Sequence, residues 1–227
     1  MSRNKKTDNH PKNKIIVPIV VIALLFFGIG FGMNYFRTNL FTVMKVPDFK
    51  LTDQNNKQIT NKDMIGKVYL VEFFFSKCPT ICPVMNSNMR AIEDEINSPD
   101  FGIISISIDP ENDTPELLKS HAQSIGVKSL NWHFLTGDRT YIGHLADQFD
   151  IYVGDKEDES ENLNHSGMIA LVDKDGNVRC RYDQNNKPIL YYSGLNYGDP
   201  QGTDPQLNGK YHPDREKLIE DIKKLLK

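Results

Sequence analysis

Two continuously apolar, β-prone runs each lead into a helical pattern, and a later pair of strands around a turn leads into a closing amphipathic helix. That order predicts an α/β thioredoxin-like sandwich. A 19-residue uncharged apolar run in front of it predicts an N-terminal transmembrane helix. With 227 residues, 39% of them hydrophobic, the chain suffices for one well-packed domain plus an accessory segment.

The elements follow in order. Ile15 to Met33 would span about 28 Å as a helix, close to the hydrocarbon thickness. Arg3, Lys5, Lys6, Lys12 and Lys14 precede it, so the positive-inside rule keeps residues 1–14 in the cytoplasm and sends the remainder to the periplasmic side of a bacterial inner membrane. A cleaved signal peptide is the competing reading, but no A-x-A-like site follows the run, and no cysteine is placed there for lipid attachment. Residues 34–46 read as a connection without strong periodicity, and the extracytoplasmic domain is expected over 47–227.

Within that domain PDFKLTDQNNKQIT reads as an opening hairpin, and Lys67 to Phe75 as a central strand buried on both faces. Val84, Met89, Ile92 and Ile96 then recur at helical spacing, with Pro83 suited to the first helical position. Phe101 to Ile108 repeats the buried strand, and Thr114 with Pro115 opens a second helix. WHFLTG precedes Asp138 and a helical stretch; MIALV and VRCRY flank a turn at Asp173 to Gly176; DREKLIEDIKKLL closes the chain. Residues 184–213, rich in Gly, Asn, Pro and Tyr, read as a long surface excursion. No G-x-G-x-x-G or P-loop is present, which disfavours a nucleotide-binding sheet.

Composition narrows the function. A net charge of −3 supplies no basic field for a phosphate backbone, so nucleic acid is not an expected partner. Three cysteines cannot form a fully paired disulfide framework, and two of them stand four apart in Cys78-Pro79-Thr80-Ile81-Cys82-Pro83, at a strand-to-helix turn. Such positions approach within about 5–6 Å, which allows a disulfide or a shared metal. Soft thiolates select Cu(I) or zinc, and a helix amino end favours the thiolate form. Two sulfurs leave a site incomplete, and imidazole is the common complement. Of six histidines His165 is the best placed, because Asn164-His165-Ser166-Gly167 immediately precedes the strand MIALV.

These motifs together are where the chain resembles the Sco/SenC family of copper chaperones for cytochrome c oxidase: a single anchor, CPxxCP after a buried strand, SIDPENDTPELL, WHFLTGD and HSGMIALVDKDG. The resemblance covers roughly Pro47 to Arg181 and the last helix. It implies that Cys78, Cys82 and His165 hold copper, as Cu(I) or Cu(II), and that the chain helps build the dinuclear copper centre of the oxidase. The implied partners are the copper-bearing oxidase subunit, membrane lipid through the anchor, and a thiol reductant. Two departures stand out: Asn164 where the family often has Asp, and Asn112 where it often has Arg. Neither removes a ligand.

Plainer readings compete with each assignment. The cysteine pair could be a structural disulfide, though so short a loop stabilises little. Cys180 alternates with Val178 and Tyr182 and reads as a small buried filler; Met85 and Met89 read as core rather than thioether ligands. His10, His121, His133, His144 and His212 are expected to serve locally, and the acidic run from Asp155 to Glu161 to be a solvated loop. Asp109 and Asp113 are assigned to structure, with Asp113 at the helix start. Two enzymatic alternatives remain: a thiol-disulfide oxidoreductase using Cys78 and Cys82, whose signature is more often CxxC, and a peroxidase of the peroxiredoxin kind, whose T-x-x-C is missing because Pro79 stands at the threonine place.

Overall fold

The computed structural model describes residues 18–22, 24–28, 39–78, 81–151, 167–182, 187–194 and 215–227. Their elements run β1 (Phe41–Lys45), β2 (Lys50–Asp53), β3 (Gln58–Thr60), β4 (Val68–Phe74), α1 (Ile81–Ile96), β5 (Phe101–Ser107), α2 (Pro115–Ser124), β6 (Trp132–Thr136), α3 (Arg139–Gln148), β7 (Met168–Val172), β8 (Asn177–Tyr182), β9 (Pro188–Ile189), β10 (Tyr192–Ser193) and α4 (Arg215–Leu226). Residues 18–22 and 24–28 are helical. Among the described residues no helix is long and apolar enough to cross a membrane.

The sheet order is β1-β8-β7-β4-β5-β6-β2-β3, with β10 beside β7 and β9 beside β8. β4, β5 and β6 are parallel, and every residue of β4 and β5 is buried, as continuous apolar runs demand of a sheet covered on both faces. β7 returns antiparallel on the other side of β4. This is the mixed α/β sheet expected from the order of elements. Alternation along β4 sends Phe73 and Phe74 to opposite faces. Phe149, at the end of α3, packs edge-on against Phe73 at 5.9 Å, while His121 of α2 stacks on Phe74 at 5.6 Å, so these helices cover opposite faces. α1 lies on the Phe74 face, joined to α2 by Asn86 and His121 and to α4 by ion pairs from Arg215 and Lys223 to Glu95. Thr114 and Asp138 cap α2 and α3, their side chains accepting from Leu117 and Tyr141 N–H.

Two expectations are corrected. Phe41–Lys45, placed in the connection 34–46, is an edge strand: it carries no buried residue and hence no hydrophobic period, and it is held by backbone pairing with β8. The excursion over 184–213 includes β9 and β10, and Tyr192 is fully buried, its hydroxyl donating to Asp221 at 2.8 Å. The rest of that stretch, and the acidic run 155–161, lie outside the described residues.

Candidate metal centre

β4 delivers its last buried residues to a tight turn in which the Cys78 N–H donates to the Phe75 carbonyl at 3.3 Å. α1 begins at Ile81, so Cys82 lies inside its first turn and Pro83 follows it, where a missing N–H costs nothing because the first-turn donors have no intrahelical partner. The Cys82 N–H is one of those donors, and it points at the Cys78 sulfur at 3.5 Å. Cys78 therefore occupies the place where a helix usually finds its capping oxygen, and the helix amino end favours negative charge there. Contact with the Cys78 sulfur, and after it burial, pushes the Cys82 thiol far above the ordinary thiol range, while the Phe75 backbone N–H acts in the opposite direction. Two sulfurs this close cannot both ionise cheaply without a cation between them.

Both cysteines are buried, at 7% and 2% exposure, yet they line a cavity of about 380 Å³ between α1 and α2 together with Ser76, Asn86, Arg90 and His121. His121 is thus not a remote local residue. Its Nε2 lies 3.1 Å from Asn86 Nδ2, and burial holds its imidazole below the usual range against the opposing pull of Asp113. Nothing in the sequence around Ser120-His121-Ala122 marks this, because only the packing of α2 onto Phe74 brings the ring to the cavity. Among the described residues no three His, Cys, Asp or Glu side chains converge to hold a metal ion.

The turn is held from outside by Asp113. Its carboxylate accepts from Ser76 N–H at 3.1 Å, from the Ser76 hydroxyl, and from the Ser107 hydroxyl at 2.5 Å. Ser107 Oγ in turn accepts the Asp109 N–H at 3.1 Å, and Asn112 Nδ2 donates to Asp109 at 2.7 Å. Asp113, expected to serve the start of α2, instead ties the end of β5 to the residues preceding Cys78, and Thr114 alone does the capping. Beneath lies Glu72, wholly buried in β4. Its Oε1 accepts from Ser105, which also accepts from Trp132 Nε1, while Oε2 has no partner among the described residues.

His165 lies outside the described residues, as do Pro79, Thr80 and Asn164. The nearest described residue, Gly167, precedes β7, whose register sets Ile169 opposite Glu72. Two more steps of that register set Gly167 level with Phe74, at the end of β4 where the cysteine turn begins. Cys180 is buried on β8 and faces β1, and Met85 and Met89 are core residues at 1% and 0% exposure. These three stand as the sequence indicated.

Comparison with known proteins agrees with this geometry. A homologue of SCO1 from Bacillus subtilis strain 168 is 32% identical over 142 residues, 61% of this chain and 74% of its own length. The structure of BsSco, a member of the Sco family of cytochrome c oxidase assembly proteins in which a disulfide switch was identified, superposes with a TM-score of 0.61 at 27% identity, covering 82% of this chain and 96% of that one. ScoI of Bradyrhizobium japonicum, solved with copper bound, gives a TM-score of 0.53 at 26% identity over 80% of this chain and 99% of its own. The SCO1/SenC profile matches residues 38–196, well over half of the sequence, and the chain belongs to the SCO1/SenC family.

Proposed function

We propose that this protein is a membrane-anchored copper metallochaperone that holds its cargo with Cys78, Cys82 and His165 and assists assembly of the dinuclear copper centre of cytochrome c oxidase. The observation that carries the reading is the paired sulfurs at the amino end of α1, one accepting the other's N–H at 3.5 Å and both opening on a cavity. Two soft donors in that position fit a soft cation, and a third donor from the segment before β7 would complete a three-coordinate site. Solved relatives hold copper, which supports the same cargo here. Loading balances as one Cu(I) entering and two thiol protons leaving. If the pair starts as a disulfide, a thiol reductant must first supply two electrons, ending as its own disulfide.

The anchor reading rests on residues 15–33. Inside that run the side chains of Leu24, Phe26 and Phe27 are 64%, 71% and 73% exposed, a cost in water that lipid removes. The basic flank then places residues 1–14 in the cytoplasm and the sheet domain in the periplasm.

A second reading is a membrane-tethered thiol-disulfide oxidoreductase acting on the oxidase's copper-site cysteines, favoured by the contact between the two sulfurs. Metal binding by the full chain in detergent separates them. One copper per chain is expected, with Cys78→Ser, Cys82→Ser and His165→Ala each weakening it severely and Cys180→Ser leaving it unchanged. Full stoichiometry and affinity in His165→Ala would remove the three-ligand site and favour the dithiol enzyme.

A further inference from the structure

The chain joins the sheet at the end where β4 hands over to the cysteines. β1 runs antiparallel to β8, with Phe41 opposite Cys180 and Lys45 opposite Asn177. β8 runs antiparallel to β7, and β7 antiparallel to β4. Three reversals leave β1 antiparallel to β4. Its first residues therefore lie toward the end of the sheet where β4 hands over to Cys78, and Lys45 finishes at the far end, where Val46 N–H donates to Gly176 at 2.9 Å. The start of β1 is fixed there: Arg179 donates to the Leu40 carbonyl at 2.7 Å, and Phe41 packs edge-on against Tyr182 at 5.2 Å.

Chain length then limits how the domain can stand. Six residue steps separate Met33, the last of the apolar run, from Asn39. Fully extended they reach about 20 Å. Crossing the headgroup layer takes roughly 6 Å of that, leaving about 14 Å. From Asn39 down to the far edge of the sheet runs about 23 Å of strand. A domain resting on its far edge would hold Asn39 higher than the tether reaches, so that orientation is closed. Cys78, three strand spacings from β1, lies about 14 Å sideways from the tethered point.

We infer that the end of the sheet carrying Cys78 and Cys82 is its membrane-proximal end, and that it serves a partner bound to the same bilayer that presents metal-accepting cysteine or histidine side chains close to the surface. This rests on the anchor assigned above.

The test is energy transfer from a fluorophore to acceptor-labelled headgroups, with the full chain in nanodiscs of phosphatidylethanolamine and phosphatidylglycerol. The fluorophore is attached through an azide-bearing amino acid at Ser87, exposed beside the cavity, or at Asp175, exposed in the far turn. The Ser87 label is expected to lie nearer the bilayer by about 20 Å. Insertion of twenty Gly and Ser residues after Arg37 is expected to abolish that difference. An Asp175 label as near as the Ser87 label, in chains that remain in the discs, overturns the orientation while leaving the anchor intact. Survival of the difference after the insertion shows that something other than the tether sets it, which overturns the argument from reach. Loss of the chain from the discs in a salt wash refutes the anchor itself, and the inference with it.

Discussion

Replacing Glu72 by Gln is expected to stabilise the protein, and only above mildly acidic pH. Glu72 is fully buried, and burial pushes its carboxyl from the ordinary 4.5 up to about 7, with the hydrogen bond from Ser105 acting against the rise. The folded state therefore keeps this proton up to about pH 7, whereas the unfolded chain releases it near 4.5. Between those values the folded state binds more protons, so stability falls as pH rises through the window and stays lower above it. At about 1.36 kcal/mol per pH unit the loss comes to about 3 kcal/mol. Gln has the shape of the protonated acid, keeps an oxygen for the Ser105 hydroxyl, and leaves its other polar atom where Oε2 already lacks a partner. Below pH 4 the variant and the parent are then expected to be equally stable; at pH 8 the variant gains about 3 kcal/mol, or roughly 6–12 °C in Tm for a domain of this size. The assay is urea unfolding of the metal-free protein from pH 4 to 9, read as the difference between the two proteins. A difference that is flat with pH, or negative at pH 8, refutes the reasoning. The charge of Glu72 also adds to the elevation of the Cys82 thiol, so Glu72→Gln is expected to speed alkylation of Cys82 at neutral pH.

The remaining predictions address the scaffold and the choice of ligand. Asp113→Ala strands the Ser76 N–H and two hydroxyl donors, so a loss of about 2–4 kcal/mol is expected in denaturant unfolding, with weaker copper binding because Ser76 stands two residues before Cys78; a loss under about 0.5 kcal/mol would show the clamp to be idle. His133 is held below its ordinary 6.5 by burial, with Asp53 at 3.4 Å opposing, so the folded state prefers the neutral ring and stability is lost as pH falls below about 6.5. Unfolding midpoints of His133→Asn are expected to show a shallower acid limb, and an unchanged limb would count against it. His121→Leu is expected to retain one copper per chain while His165→Ala does not, and loss of the metal in His121→Leu would move the third ligand from the segment before β7 into α2.

Much of the sheet was legible because its signals are local. Val68–Phe74 and Phe101–Ser107 are buried throughout, so continuous apolar sequence and central strand coincide, and Thr114 and Asp138 announce their helices through caps that involve the next three residues. β1 was missed because an edge strand needs only backbone partners: Phe41–Lys45 has no buried face to impose a period. Tyr192 was missed for the opposite reason. It sits among Gly, Asn and Pro that read as loop, and what buries it is a strand pairing with Ile169 and a hydroxyl partner on α4, both remote in sequence.

The same division between local and remote runs through the metal centre. Cys78 and Cys82 were legible because a spacing of four at a strand-to-helix turn already brings them together, and the Cys82 N–H on the Cys78 sulfur shows that closeness at atomic detail. The histidines could not be ranked by spacing, since any of them must cross the fold to reach the pair. His121 does cross it, by way of the stack of α2 on Phe74, but its Nε2 is already engaged by Asn86 and its ring is wedged against Phe74 and Phe134. A ligand to a travelling metal has to leave as well as arrive. An imidazole locked by two aromatic rings and an amide suits the wall of such a site rather than the exchange itself.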